Sequence, residues 1–209
     1  MAIQDYNELS SLELDTLKEI GSIGTGNSAT ALSQLIGQTV RIQQPEVRIM
    51  GYNEAIEWIG GPEEITAGVL VKLGGQINGV MLSVQQLEFV NLVLESMLDT
   101  KIEDYFGLHE METSVLIEVG NIMISTFITA LSSLADVHIE LTVPAFTVDM
   151  QGAIMTVPMA EFGGQSDYIM TIGGNFVCEN KQVPCRLLLS PDVRSLNFLL
   201  RKLGVTSGE

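Results

Sequence analysis

The sequence predicts an α+β fold, an antiparallel-rich sheet with two long helices laid across it, arising from an internal duplication. Three observations predict it. First, placing residue n over residue n+99 aligns Leu17, Glu19, Gly21, Ile23, Thr30, Ala31, Leu32, Ser33, Leu35 and Pro45 with Leu116, Glu118, Gly120, Ile122, Thr129, Ala130, Leu131, Ser132, Leu134 and Pro144. The overlay is gapless, and shared composition does not explain a Glu, a Gly and a Pro at matched spacing. Second, a long helical pattern opens each half. Third, each is followed by strand-like and hairpin-like segments and then a shorter helix.

In order, the first helix is expected over 11–37, capped by Ser10 or Ser11. A strand follows in "TVRIQQPEVRIM", then a hairpin in "EITAGVLVKLGG" and "INGVMLSV", then a helix in "QQLEFVNLVLESML". The polar link "DTKIEDYFGLH" leads to the second long helix over 110–134. Beyond it, "VHIELTVPAFTVDM" reads as strand, "DYIMTIGGNFV" and "PCRLLLS" as a second hairpin, and "PDVRSLNFLLRKLG" as a closing helix with Pro near its start. The expected organisation is a single domain, 1–209, of two pseudo-symmetric repeats at about 10–98 and 109–205.

Composition narrows the function. With 26 acidic against 10 basic residues the net charge is −16, which disfavours nucleic acid and anionic lipid as partners. It is compatible with a partner that has a basic rim or a bound cation. The amino-terminal "MAIQDYNELSS" is polar and acidic, unlike a signal peptide. The two cysteines, Cys178 and Cys185, are too few for a disulfide framework or a usual zinc site. They could face each other across a hairpin, but buried free thiols in a reducing cytoplasm are the expected state. Mean hydropathy is +0.30, and Val115–Leu131 is apolar enough to be tested as a membrane span. Glu118 at the bilayer centre would cost about 2.5–3.5 kcal/mol, with Asn121, Ser125 and Thr129 adding to it. No membrane insertion is expected.

On that helix each residue advances about 100°. Ser114, Glu118 and Asn121 therefore fall within roughly 60° of one another, and Ser125, Thr129 and Ser132 continue the strip. Leu116, Val119, Met123, Phe127, Leu131 and Leu134 face elsewhere. In the first half Asp15, Glu19 and Ser22 hold the matching ridge. A solvated helix face normally carries Lys, Arg and several Glu. A lone acid among small residues suits close approach of another protein instead. Gly120, costing about 1 kcal/mol in a helix interior, points to close packing or close approach. Pro45 and Pro144 read locally as edge-strand or bulge residues, each at the same distance from its ridge.

Here the residues resemble a family. "SVLIEVGN" with Pro after twenty-two further residues reproduces the [Asp/Ser]-x3-Glu-x2-Asn-x22-Pro pattern of the CheC-type chemotaxis phosphatases, at Ser114, Glu118, Asn121 and Pro144. "DTLKEIGSIGTGNSATA" resembles the family's first helix. The first copy departs from the pattern: Asp15, Glu19 and Pro45 fit, but Ser22 stands in the Asn position. The resemblance implies a phosphatase of phosphorylated CheY. The receiver domain would contribute the aspartyl phosphate, a Mg²⁺ and a lysine, so this chain would need no metal or cofactor of its own. Glu118 would pair with the lysine and the Asn121 amide would position water. An acyl phosphate is already reactive, so orientation and charge placement suffice. The Ser22 hydroxyl reaches less far than an amide.

Two other readings compete. The resemblance also implies binding of the receptor deamidase CheD, and "TVDMQGA" resembles the stretch associated with that contact. Asp149 is the candidate, against a plain solvent-facing strand residue. The chain would then act chiefly as an adaptor. A flagellar switch component is disfavoured, because those related proteins carry a further C-terminal domain and this chain ends at "KLGVTSGE".

Overall fold

Ser10 and Glu13 start the first helix with a capping box. The Ser10 N–H donates to Glu13 Oε2 at 2.8 Å and the Glu13 N–H to Ser10 Oγ at 3.3 Å, satisfying two orphan donors at once. From there α1 runs over Ser11–Ile36 and stops at Gly37 in the left-handed conformation, φ 68°. The computed structural model describes residues 3–162, 166–179 and 181–205. The chain continues as β1 (Val40–Gly51), α2 (Tyr52–Ile59), β2 (Ile65–Gly75), β3 (Gly79–Gln85) and α3 (Leu87–Leu98). It then passes to α4 (Glu110–Ala135), β4 (Ile139–Leu141), β5 (Ala145–Met150), α5 (Gln151–Phe162), β6 (Tyr168–Cys178), β7 (Lys181–Pro191) and α6 (Val193–Lys202).

Among the described residues seven strands form one sheet in the order β1-β6-β7-β3-β2, with β4 and β5 both on the outer side of β2. Every pairing is antiparallel. The order reads the same from either end when β1 is exchanged with β4/β5, β2 with β6 and β3 with β7. Helix and strand units thus occur twice, and each half's first strand pairs with the other half's second. Strand β3 is buried along its whole length because helices cover both faces. Met81 joins a core with α1, α3, α4 and α6, while its neighbour Leu82 joins a core with α2 and α5, the alternation a pleated strand requires.

Helices α2 and α5 were not anticipated from the sequence. Helix α5 is apolar nearly all round and holds Pro158 in its interior, so neither periodicity nor a cap marks it. Helix α6 is capped by Asp192, which accepts from the Ser195 N–H at 2.6 Å; Pro191 ends β7 rather than opening the helix. The cysteines do not meet across the hairpin. Cys178 lies opposite Lys181 and Cys185 opposite Gly174, both are buried and free, and burial pushes the Cys185 thiol up to about 12.

The two long helices cross on small residues. A Cβ on Gly24 would stand 2.4 Å from the Phe127 ring, and Ser28 Oγ donates to the Met123 carbonyl at 2.8 Å. Gly24 is the n+99 partner of Met123, and Ser28 of Phe127, so the two contacts are each other's counterparts. Residue numbers rise on one helix as they fall on the other, so α1 and α4 run antiparallel.

Candidate functional site

Each long helix lies on the sheet through a glycine. A Cβ on Gly21 would be 2.1 Å from Val47 Cγ2 and 3.9 Å from Ile172, and one on Gly120 would be 2.6 Å from Val69 Cγ2. Val47 pairs with Ile172 and Val69 with Phe146 in the sheet, so both glycines sit over equivalent cross-strand pairs. Of the two readings of Gly120, close packing is the one observed: it faces the sheet. Helix α4 is long and apolar enough to cross a membrane by length and composition, with mean hydropathy 1.7. Here it packs on α1 and the sheet, with Leu116, Val119, Met123, Phe127 and Leu131 buried; Leu134 is 46% exposed.

On the opposite side of α4 the polar strip runs from Ser114. Its hydroxyls bond to the chain's own backbone: Ser114 Oγ to the Glu110 carbonyl at 2.8 Å, Ser125 Oγ to Ile122 at 3.1 Å, Thr129 Oγ1 to Ser125 at 2.7 Å, and Ser132 Oγ to Val137. Glu118 and Asn121 differ. Glu118 is exposed and Asn121 half-buried, and neither side chain has a hydrogen-bond or ion-pair partner among the described residues. Asn121 is less open than the helical projection implied, because the turn at Gly120 sinks toward the sheet. What this strip offers is one carboxylate and one amide whose polar atoms remain available.

On α1, Asp15 and Glu19 are exposed and Ser22 half-buried. Asp15 accepts from Lys18 Nζ at 2.9 Å, and the position equivalent to Lys18 on α4 is Ile117. The first ridge therefore carries a cation that the second lacks. Because the helices cross near Gly24, Ser28, Met123 and Phe127, the ridges lie toward opposite ends of the pair, roughly 20 Å apart along the axes.

Both prolines sit where an edge strand is interrupted. Pro45 is exposed in the β1 bulge between Gln43 and Glu46, where Gln44 has φ 51°. Pro144 is half-buried in the break between β4 and β5, which is pinned by Thr142: its N–H donates to the Lys72 carbonyl at 3.1 Å and its Oγ1 accepts from the Lys72 N–H at 3.0 Å. Asp149 is exposed on β5 and accepts from the Met150 N–H at 2.8 Å. It rims an apolar groove of about 260 Å³ lined by Leu70, Leu82, Phe146, Ile154 and Val157. Among the described residues no group of His, Cys, Asp and Glu is placed to hold a metal ion.

Two features escaped the sequence reading. Gln85 is fully buried beneath α4, its Nε2 donating to the Leu116 carbonyl at 3.1 Å, one turn below Gly120. No pattern marks it, since it is a polar residue ending an apolar strand. The other is a pair of tyrosines. Tyr6 Oη donates to the Pro191 carbonyl at 2.6 Å and Tyr105 Oη to the Gln85 carbonyl at 2.8 Å. Extending the n+99 overlay upstream aligns Asp5-Tyr6 with Asp104-Tyr105 and would have found them.

The fold and site define a class: a continuous antiparallel sheet under two antiparallel helices, each presenting a Glu-centred ridge to solvent. A family model described as CheC-like matches residues 12–49 and 111–148, the stretches running from the head of each long helix through the following edge strand. The chain is 26% identical over 207 residues to the CheY-P phosphatase CheC of Bacillus subtilis, covering 96% of this chain and 98% of that one. It is 28% identical over 190 residues to the putative CheY-P phosphatase CheC1 of Halobacterium salinarum, covering 91% and 95%. Thermotoga maritima FliY has the same fold, with a TM-score of 0.72 at 20% identity over 94% of this chain and 98% of that one. The chain belongs to the CheC/CheX/FliY family.

Proposed function

We propose that this protein hydrolyses the aspartyl phosphate of phosphorylated CheY, through Glu118 and Asn121 on α4. The observation that carries the reading is that these two alone keep uncommitted polar atoms on a strip whose hydroxyls all bond to backbone, in a chain whose relatives are CheY-P phosphatases. Glu118 pairs with a lysine of the receiver and fixes the docking register. The Asn121 amide, able to donate and accept, orients a water for in-line attack on phosphorus. The P–O bond to the aspartate breaks, releasing inorganic phosphate and restoring the carboxylate. The receiver supplies Mg²⁺. Ser114 supports the head of the ridge, and Pro144 sets the strand break beside it.

In this reading the chain is a single cytoplasmic domain that arose by duplication, and Asp15, Glu19, Ser22 and Pro45 are the degenerate first site. A second reading, an adaptor for CheD, is favoured by one observation: Asp149 stands exposed on the rim of an apolar groove. Both are compatible with one molecule. The test is decay of phosphorylated CheY with wild-type protein and with Asn121→Ala. Removing one positioned polar group costs about 10²–10³ in rate. Retention of more than half the activity, with unchanged CheY affinity, would remove Asn121 from the chemistry.

A further inference from the structure

Apolar side chains at three exposed positions stand out around the second ridge. Phe106 is 94% exposed, Met111 65% and Val143 88%. Phe106 is not on a loose loop. The Asp104 carboxylate accepts its N–H at 2.9 Å, Gly107 N–H donates to the Asp104 carbonyl at 3.2 Å, and Leu108 N–H donates to the Tyr105 carbonyl at 3.2 Å. Tyr105 is tied to Gln85 at the end of β3. The turn is fixed from both sides, and it holds an aromatic ring in water.

The n+99 relation supplies the comparison that gives this meaning. The position equivalent to Phe106 is Asn7, and that equivalent to Val143 is Gln44; both are exposed. Met111 corresponds to Leu12, 61% exposed. At two of three equivalent surface positions the ridge bearing Asn121 is apolar where the ridge bearing Ser22 carries an amide. Isolated exposed apolar residues are ordinary, but a difference that tracks the amide at the heart of the ridge is not explained by solvation. Geometry joins the pad to the site. Met111 lies seven residues before Glu118, about 20° away around the helix. Phe106 sits on the turn feeding that helix end, and Val143 immediately precedes Pro144. Thr142 and Ala145, on either side of Val143 and Pro144, lie beside Lys72 and Leu70 of β2, and Gly120 packs on Val69 of that strand. Val143 and Pro144 therefore stand on the sheet edge next to the turn of α4 that carries Glu118 and Asn121.

We propose that Phe106, Met111 and Val143 form an apolar docking pad that seats the receiver domain against the Glu118–Asn121 ridge, and that the first ridge, with Asn7 and Gln44, lacks the complete pad. The proposal rests on the phosphatase reading above. It assigns affinity to the pad and turnover to Asn121. An aromatic anchor on a pre-fixed turn loses little freedom on binding, and aromatic residues are enriched at interface cores. The surrounding acids, Asp104, Glu110 and Glu112, suit an occupant with a basic rim.

The test uses the full chain with Phe106→Asn and Val143→Gln combined, the residues that the first half carries there. Binding is measured to CheY charged with Mg²⁺ and beryllofluoride, a non-hydrolysing mimic of the phosphoaspartate, and hydrolysis is measured as kcat and KM. The expected result is a Kd and KM raised about tenfold or more, with kcat within twofold. Asn121→Ala should show the reverse split. A folded double variant with unchanged Kd and KM, while Asn121→Ala still loses turnover, would overturn the pad and leave the phosphatase reading standing. Wild-type protein that neither binds nor hydrolyses the charged receiver would overturn both.

Discussion

Replacing Gly120 by alanine should destabilise the protein although alanine is the better helix former. The new Cβ would lie 2.6 Å from Val69 Cγ2, 2.7 Å from Val69 Cβ and 2.9 Å from Gln85 Nε2. A rotamer change moves the methyl but not Val69 Cβ, which is fixed to the backbone of β2. Reaching ordinary carbon–carbon contact requires α4 to lift by roughly 0.7 Å or more at that turn. Overpacking of this kind costs about 1–3 kcal/mol, against a propensity gain of about 1 kcal/mol. Gly26 on α1 is the control, because nothing lies within 4 Å of its Cβ position, so Gly26→Ala should gain about 0.5–1 kcal/mol. The propensity gain largely cancels between the two variants, leaving the overpacking cost as their difference. Urea unfolding at equilibrium measures it directly. Equal midpoints for the two variants would refute the claim that α4 is held on the sheet through Gly120.

Glu118→Lys should weaken CheY engagement and not turnover alone, since under the proposed docking it would set a cation against the receiver's lysine; an unaltered concentration dependence of CheY-P decay would take Glu118 out of the interface. Ser22→Asn should raise phosphatase activity, and combined with Asn121→Ala it should keep the activity that Asn121→Ala alone loses. The gain is expected to be partial because Lys18 and the incomplete pad remain, and a folded but inactive double variant would make the first ridge a structural remnant. Burial holds the Tyr6 and Tyr105 hydroxyls well above their usual range, with nearby Tyr52 adding to the effect on Tyr6. Above pH about 10 the unfolded chain releases those protons while the folded chain keeps them. Stability should therefore fall as pH rises from about 9 to 11, and Tyr105→Phe should flatten the decline; an unchanged slope would contradict the assignment.

Much of this was legible in the sequence because the signals were periodic. The matched Glu, Gly and Pro marked the recurrent unit, and the long helices fall at Ser11–Ile36 and Glu110–Ala135 within a residue of expectation. Ser114, Glu118 and Asn121 share a face because 3.6-residue geometry leaves little choice. The missing parts were aperiodic. Helix α5 has no polar face to set a phase. The tyrosine turns are three residues long, and their meaning lies in carbonyls far away in the chain. The half-burial of Asn121 and Ser22 depends on how deeply the neighbouring glycines let each helix sink, which a helical projection does not contain.

The exchange of strands between halves has a consequence for how the two ridges could come to differ. Among the described residues β1 pairs only with β6, and β4 and β5 pair only with β2. A half on its own would leave a strand edge open, and the economical way to close it is a second identical half related by a twofold axis. In such a pair every substitution appears twice, so both ridges must keep the same residues. Joining the halves in one chain lifts that restriction. Ser22 and Asn121, Asn7 and Phe106, and Lys18 and Ile117 are differences that a symmetric pair of identical halves cannot hold and a single chain can.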